Sequence, residues 1–282
     1  MGGLYLGHYQ FTPVELDSYC ARVGYRGPRE PTLSVLCELH RLHPAAIPFE
    51  ALDVFMGRGV DVTPEAIDAK LIQAGRGGYC FEQNILFLRV LRTLGFQADP
   101  LIARSRWNRP LHEVVARTHM AIGVRLDKQQ WLADVGFGAC MLTTPLRLEV
   151  REAQATRHEP ARLTPLHGEL RLERLLDGNW TPICDVVAAP QEFVDIVAAN
   201  WLIATHPASS FRQHLVVSRT QDDIRHVLVD TRLTVRRSDV SVEHNKLDAD
   251  QIEACLQEVF GLPFEEGWRP ALVSLASRSP DR

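Results

Sequence analysis

The 282-residue sequence lacks several features that mark whole classes of protein. No apolar run is as long as a membrane span, because even the stretch 196–204 is interrupted by Asn200. No basic segment followed by a long apolar one opens the chain, so we expect neither a signal peptide nor a membrane partner. Lys and Arg are nowhere concentrated and the formal net charge is -4, which argues against a nucleic-acid partner.

Closely paired cysteines are also absent. The chain has six cysteines, none of them in a C-x-x-C pair, and their scattered spacing fits neither a zinc site nor a small disulfide framework. In a chain of this length without an export signal, reduced thiols are the better interpretation. We therefore expect a cytoplasmic protein that holds no metal.

What the sequence does have is the composition of an ordinary globular protein, with 45% hydrophobic and 23% charged residues. Its first third predicts four helices. A capping box at 12–15 opens the first helix, which should end near Gly24. The others are predicted at 33–43, ended by Pro44, from Thr63 to about residue 74, and from about Tyr79 to Leu94.

From about residue 100 the hydrophobic period changes from helical to alternating. Residues 120–126 alternate in this way, a polar turn follows at 127–130, and 131–137 predicts the returning strand. The pattern indicates an antiparallel sheet or barrel in the middle third. Further strands are predicted at 169–176, 180–186, 215–219, 225–228 and 231–235, with helices at 191–205 and 251–260.

The segment most informative about function is Arg76-Gly77-Gly78-Tyr79-Cys80-Phe81-Glu82-Gln83-Asn84. Its glycines allow a sharp turn into the fourth helix and the close approach of a ligand. Cys80 then lies in the first helical turn, where free N–H groups and the helix dipole favour a thiolate. A thiolate attacks a thioester carbonyl, and the same N–H groups can stabilise the oxyanion that results. Cys80 is therefore the candidate nucleophile.

A thiolate nucleophile needs a base beside it and a group that orients the base. His119 is the best candidate base, because it shares a strand face with the small residues Ala121 and Gly123. Asp134 is the candidate orienting group, because a carboxylate within the apolar run 132–137 is costly to bury without a partner.

A plain hairpin raises a geometric problem for this pair. Closed by the turn 127–130, it would pair Leu126 with Trp131 and place His119 and Asp134 on one face. It would also offset them by four residues, about 13 Å along the strand. A hydrogen bond between them needs a bulge, strong curvature or another pairing.

Taken together, these residues resemble the arylamine N-acetyltransferase family, in its bacterial form. The resemblance extends from about Val14 to Arg219. The sequence departs from the usual pattern at Ala51, where Asn is common, and at Cys140-Met141. The matching segments are 76–84, Ile47-Pro48-Phe49-Glu50, Thr118-His119, Asp134-Val135-Gly136-Phe137-Gly138, Ala199-Asn200-Trp201, Thr205-His206-Pro207 and Phe211.

The resemblance implies a Cys80-His119-Asp134 triad, acetyl-coenzyme A as the donor, and a small aromatic amine or hydrazine as the acceptor in a ping-pong reaction. The residues that it implies for the acceptor pocket are Phe49, Tyr79, Phe137 and Phe211. Those that it implies near coenzyme A are Trp107, Thr118, Phe137 and Gly138.

The fold implied by the resemblance is α+β in several parts, with a cysteine-protease-like Cys-His-Asp core. Its parts are a helical bundle at 1–99, a β-barrel at 100–190, an interdomain segment at 191–220 and an α/β lid at 221–282.

Three alternatives remain open, and so do the acceptor and the oligomeric state. An amide synthase of the same family would use the same triad on a larger acyl chain, so acceptance of acetyl-coenzyme A discriminates. A cysteine protease or transglutaminase-like hydrolase shares the order Cys, His, Asp and would turn over peptides without coenzyme A. A non-catalytic binding module would bind coenzyme A or aromatic ligands without becoming acetylated.

Overall fold

A computed structural model describes residues 12–237 and 241–278, in which helices surround two antiparallel sheets. A π-helical turn, Asp68–Gln73, extends the fourth helix. The helices are α1 (Leu16–Val23), α2 (Leu33–Ala46), α3 (Leu52–Phe55), α4 (Pro64–Ile67), α5 (Cys80–Thr93), α6 (Phe193–Thr205), α7 (Ser210–Gln213), α8 (Ala249–Glu258) and α9 (Arg269–Ala276). The strands are β1 (Phe49–Glu50), β2 (Gln97–Ser105), β3 (His119–Leu126), β4 (Gln129–Ala133), β5 (Leu146–Arg147), β6 (Ala161–Leu166), β7 (Glu169–Leu176), β8 (Asn179–Val187), β9 (Val216–Thr220), β10 (Ile224–Val229), β11 (Arg232–Arg237) and β12 (Val242–Lys246).

Helix α1 begins later than its sequence predicts, so the expected capping box at 12–15 is wrong. Glu15 is the residue that caps the helix, because its carboxylate accepts the backbone N–H groups of Asp17 and Ser18. The predicted end is confirmed, since Gly24 adopts a left-handed conformation with φ 73°.

Helix α2 starts as predicted but runs past its predicted end. The Thr32 hydroxyl accepts the N–H of Val35, which caps the first turn. Pro44 lies inside the helix, which continues to Ala46. A proline loses only its own N–H, and the backbone N–H of Ile47 still reaches the carbonyl of His43 at 2.8 Å.

Helix α5 is the central element of the molecule. All twelve residues from Cys80 to Leu91 are buried, which is the pattern of a helix enclosed on every side. It contacts α1 and α4 on one side and strands β2 and β3 on the other. Cys80, the predicted nucleophile, is the first residue of this helix. It therefore lies between the helical part and the barrel.

The predicted barrel is confirmed as a nearly closed seven-stranded sheet in the order β5-β4-β3-β2-β8-β7-β6. Gln154 joins its two edges. The Gln154 backbone exchanges hydrogen bonds of 2.7 and 3.0 Å with Ala161, and its side chain exchanges two with the backbone of Arg147, at 2.8 and 3.0 Å. The strand β2 at the middle of this sheet is not among the predicted strands.

A second sheet has five strands in the order β1-β9-β10-β11-β12. Buried side chains of α8 and α9 form one hydrophobic cluster with those of this sheet. The sheet draws β1 from residues 1–99 and β9 from residues 191–220, so it joins three of the predicted segments. The four-part division itself stays a prediction.

The hairpin of β3 and β4 differs from the predicted one and removes its geometric problem. Its turn consists of only two residues, Asp127 and Lys128, both with positive φ, so Leu126 pairs with Gln129. This register reduces the offset between His119 and Asp134 from four residues to two. Diagonal neighbours at that offset lie within reach of each other's side chains.

Candidate active site

Cys80 is the first residue of α5, which confirms its predicted place in the first helical turn, and it follows an extended Tyr79 that caps the helix. Its side chain is buried, and the sulfur lies 3.9 Å from the carbonyl oxygen of Thr118 at the start of β3. The sulfur therefore lies at the N-terminal, positive end of the helix dipole.

The two glycines before Cys80 are required by the protein rather than by a ligand. A Cβ on Gly77 would lie 2.2 Å from the carbonyl oxygen of Pro48, which no side chain tolerates. Gly78 donates to that same carbonyl at 3.3 Å, and its own carbonyl accepts the N–H of Glu50 at 3.0 Å. The glycine loop is thus held against the segment that carries β1.

His119 and Asp134 are joined by a hydrogen bond of 2.6 Å between Nε2 and Oδ2. Both side chains are almost fully buried. Cys80 is near enough to His119 to raise the pKa of the imidazole, and both residues line the same cavity. The structure therefore brings the three predicted catalytic residues together in the order cysteine, histidine, carboxylate.

The electrostatics of the pair favour a charged imidazole. Burial alone would lower the pKa of His119, but the Asp134 charge and hydrogen bonds with Asp134 and Cys80 raise it to about 10. Burial would likewise raise the pKa of Asp134, yet the charge of His119 and the hydrogen bonds from His119, Asn84 and Gly136 lower it. At neutral pH the two groups form an ion pair beside the thiol.

Asn84 links α5 to β3 and to the segment that carries Asp134. It lies one helical turn after Cys80, so both side chains share a face of α5. Its amide nitrogen donates to Asp134 Oδ1 at 3.0 Å and to the Met120 carbonyl at 2.7 Å, and its oxygen accepts the Val135 N–H at 3.1 Å. One side chain thereby fixes the distances between α5, β3 and Asp134.

A buried charge cluster lies behind the cysteine. Glu82 accepts the N–H of Tyr79 at 2.9 Å and binds the ammonium group of Lys70 at 2.7 Å. Burial raises the pKa of Glu82, although the charge of Lys70 opposes this. Arg76 binds Glu50 at 2.7 Å and Glu265 at 2.8 Å, which ties the glycine loop to the C-terminal part of the chain.

An open cavity of about 760 Å³ lies in front of the sulfur, and both Cys80 and His119 line it. This volume is typical of a small-molecule site. The remaining wall comes mainly from the loop 105–118, the segment 136–139, and the region of α6, α7 and β9. The wall includes no residue after Val229 among those that the structure describes.

Most residues predicted to bind substrate or coenzyme lie in this wall. Tyr79 does not, because its hydroxyl donates to Asn200 and its ring packs behind Phe211. Gly138 is buried against the ring of Phe49 and is not part of the wall either. The predicted residues that line the cavity are Phe49, Trp107, Thr118, Phe137 and Phe211.

Some residues of the site were given no role from the sequence. Asn84 belongs to the cysteine motif, and its spacing of four from Cys80 is a signal that a polar side chain shares the nucleophile's face. His40, whose ring nitrogen accepts the Asp134 backbone N–H, has no comparable signal, because it is distant in sequence from the triad. Leu202, Ile203 and His206 of the cavity wall follow from tertiary packing.

No group of three or more potential metal ligands is close enough to hold an ion within residues 12–237 and 241–278. In the same part of the chain, no helix has the length and apolar character needed to cross a bilayer.

Comparison with known proteins gives a consistent result. A family model described as N-acetyltransferase matches residues 32–269. The arylamine N-acetyltransferase of Mycolicibacterium smegmatis is 37% identical over 257 residues, which cover 88% of this chain and 92% of that protein. That of Escherichia coli is 35% identical over 257 residues, or 90% and 91% of the two chains.

Solved structures agree. The structure of Mycobacterium marinum arylamine N-acetyltransferase in complex with CoA matches with a TM-score of 0.89 at 34% identity, covering 93% of this chain and 99% of that one. The fold and the matched family define this chain as an acyltransferase. More specifically, it belongs to the arylamine N-acetyltransferase family, as the resemblance of its motifs predicts.

Proposed function

We propose that the chain transfers an acetyl group from acetyl-coenzyme A to an arylamine or arylhydrazine through an acetyl-cysteine on Cys80. The observation that carries this proposal is the hydrogen bond of 2.6 Å between His119 and Asp134. Cys80, the first residue of α5, lines the same cavity as His119. The relatives' names support the acceptor class, and the coenzyme A complex of the Mycobacterium marinum protein supports the donor.

In the first half-reaction, the Cys80 thiolate attacks the thioester carbonyl of acetyl-coenzyme A. N–H groups of the first turn of α5 stabilise the oxyanion that forms. As the tetrahedral intermediate collapses, coenzyme A leaves and takes a proton from the His119 imidazolium. The enzyme then carries an acetyl-cysteine and a neutral imidazole.

In the second half-reaction, the neutral acceptor amine attacks the acetyl-cysteine. His119, now neutral, accepts the proton that the amine loses, and the Cys80 thiolate leaves. The thiolate and imidazolium are thereby regenerated. Arylamines and hydrazines suit this step because they are largely uncharged at neutral pH, whereas an alkyl ammonium must first lose a proton.

The cavity wall supports a division between donor and acceptor contacts. Phe49, Phe137 and Phe211 offer apolar area to an aromatic acceptor, with Tyr79 supporting Phe211 from behind. Trp107 and Thr118, on the opposite loop, are the candidates for coenzyme A contacts. Gly138 acts indirectly, by letting the backbone approach Phe49.

Steady-state kinetics test this proposal. Initial rates measured while varying acetyl-coenzyme A and an arylhydrazine should give parallel double-reciprocal lines, as a ping-pong reaction requires. Cys80→Ser and His119→Ala should abolish turnover while retaining the fold. Intersecting lines, or wild-type turnover in either variant, would refute the mechanism. Transfer only from longer acyl thioesters would favour an amide synthase, and peptide turnover without coenzyme A would favour a hydrolase.

A further inference from the structure

A histidine from the helical part of the chain contacts the carboxylate residue of the barrel. His40, on α2, is fully buried, and its Nε2 accepts the backbone N–H of Asp134 at 3.1 Å. Asp134 follows the last residue of β4, and the ladder with β3 ends at the pair Ile122 and Ala133. The histidine therefore supplies the acceptor that a strand partner would otherwise provide.

This contact determines which ring nitrogen of neutral His40 carries the proton. Because Nε2 accepts a hydrogen bond, the neutral ring carries its proton on Nδ1. Burial lowers the pKa of His40 to about 4, although the charge of Asp134 acts in the opposite direction. The ring also packs edge-on against Phe87, with centroids 6.0 Å apart.

The charged and titratable groups around His40 lie on two sides. Towards the site are the Asp134 carboxylate and, beyond it, the His119 imidazolium. The Cys184 thiol is also near Asp134, and burial and the charge of Asp134 raise its pKa. On the other side His40 lines a cavity of about 10 Å³, the room that one water needs, with His158, Arg157 and Asp222 around it.

The position of Asp134 depends on few other contacts. Its Oδ1 accepts from Asn84 and from the Gly136 N–H at 2.9 Å, and its Oδ2 accepts from His119. All of these hold the carboxylate, whereas His40 holds the backbone from which the carboxylate projects. Movement of that backbone would change the approach of Oδ2 to the imidazole directly.

We propose that His40 is a positioning residue for the acetyl transfer reaction, which keeps Asp134 in register with His119 by accepting its backbone N–H. The inference rests on the proposed function, since it assigns His40 to the same triad. A residue with a merely structural role would change stability without changing the protonation of His119 or the reactivity of Cys80.

Substitutions at His40 separate these roles. His40→Phe keeps an aromatic ring against Phe87 but has no acceptor, and His40→Leu provides the same test if the phenyl ring does not fit. His40→Gln restores an acceptor for the Asp134 N–H. Leu36→Ala, one turn earlier on the same buried face of α2, is the control for loss of stability alone.

The readouts are kcat and KM for acetyl transfer, and the rate of Cys80 alkylation by iodoacetamide between pH 6 and 10.5. We expect His40→Phe to lower kcat by about 10-fold to 100-fold with little change in KM, because a small displacement of a catalytic group costs that much. In the plot of alkylation rate against pH, the change at alkaline pH should move to a pH about one unit lower. The reason is that a weaker bond between Asp134 and His119 lowers the pKa of His119. His40→Gln should recover most of the wild-type kcat and most of the wild-type pH profile of alkylation. Leu36→Ala should keep the wild-type profile.

Wild-type kcat and pH profile in folded His40→Phe or His40→Leu would overturn the assignment, and so would a His40→Gln variant as impaired as His40→Phe. Failure of the proposed function is seen separately, as wild-type protein that takes no acetyl group from acetyl-coenzyme A.

Discussion

The two sides of the cavity are built in different ways. The rear side consists of His119 and Asp134 with their buried supports Asn84 and His40, and each of these side chains is held by hydrogen bonds of 2.6 to 3.1 Å. The front side comes from the loop 105–118 and from α6, α7 and β9, and it mixes apolar side chains such as Phe211 with polar ones such as Arg109. Its apolar part includes ring contacts such as the pair Phe49 and Phe211.

Under the proposed function, this difference assigns the chemistry to the rear side and the recognition to the front side. Buried hydrogen bonds are directional and costly to break, so the rear side fixes the reacting groups within a narrow range of positions. Apolar contacts are non-directional, so the front side can accommodate acceptors of different shape at little cost. We therefore expect changes at the rear to act on kcat and changes at the front to act on KM.

The largest effect is expected from Asp134→Asn. The amide removes the charge that holds the pKa of His119 near 10, so the buried imidazole should be neutral at pH 7. Acetyl transfer should fall by about 10³- to 10⁴-fold, as in other triads that lose the carboxylate. NMR of the His119 ring nitrogens and single-turnover acetylation measure the two effects.

A second His–Asp pair provides the matched control for this variant. His214 and Asp230 are 2.7 Å apart and belong to the front side, with His214 in the cavity wall. Asp230→Asn should leave the rate of Cys80 acetylation within about threefold of wild type. An equal loss in both variants would contradict the separation of rear and front.

Asn84→Ala should have the next largest effect. It removes three hydrogen bonds at once and leaves the Val135 N–H and one oxygen of Asp134 with fewer partners. We expect kcat to fall by about 100-fold from misplacement of the triad. Stopped-flow acetylation and urea unfolding measure the rate and the stability.

Leu88→Ala is the control for Asn84→Ala, because Leu88 is the next residue on the same face of α5 and is fully buried. It should lower the free energy of unfolding by about 2–5 kcal/mol and leave kcat of the folded protein unchanged. If Leu88→Ala lowers kcat as much as Asn84→Ala, the role assigned to the Asn84 hydrogen bonds is wrong.

Phe211→Ala tests the front side. Loss of this ring removes apolar area from the acceptor pocket and should raise KM for an arylhydrazine by about 10-fold, with kcat changed less than threefold. KM for acetyl-coenzyme A should change less. Phe264→Ala, which removes a ring packed on Trp268 away from the cavity, is the control. A fall confined to kcat would contradict a role in recognition.

The smallest effect concerns stability at acid pH. Burial lowers the pKa of His43 to about 3, and its bond to Gln83 only partly opposes this. A folded-state pKa below the unfolded value of about 6.5 means that the unfolded chain binds more protons between pH 6.5 and 3. Stability should therefore fall as the pH falls through this range, by up to about 1.4 kcal/mol per pH unit for this group.

His43→Gln should flatten this slope in urea unfolding. An identical slope in wild type and His43→Gln would show that His43 does not titrate differently in the two states.

The sequence predicted the helices and strands better than the geometry that joins them, and the catalytic roles of Cys80, His119 and Asp134 stay a prediction. The cysteine motif identifies Cys80, and alternation identifies β3, because both signals are local. The two-residue turn at Asp127 and Lys128 was not predicted, since a four-residue polar run does not specify which residues adopt positive φ. That turn decides whether His119 and Asp134 meet.

Tertiary contacts account for the remaining differences. Tyr79 was expected in the acceptor pocket, but its bond to Asn200 on α6 draws it behind the wall. Helix α2 passes through Pro44, and the contact of His40 with Asp134 joins residues 94 positions apart. Neither periodicity nor motif spacing carries information about such contacts.

The most direct test of the central claim is the intact mass of the protein after mixing with acetyl-coenzyme A alone, and again after adding an arylhydrazine. The account predicts a gain of one acetyl group that maps to Cys80 and disappears when the hydrazine is added. An alkylatable Cys80 that gains no acetyl group, or an adduct that the hydrazine does not remove, would contradict it.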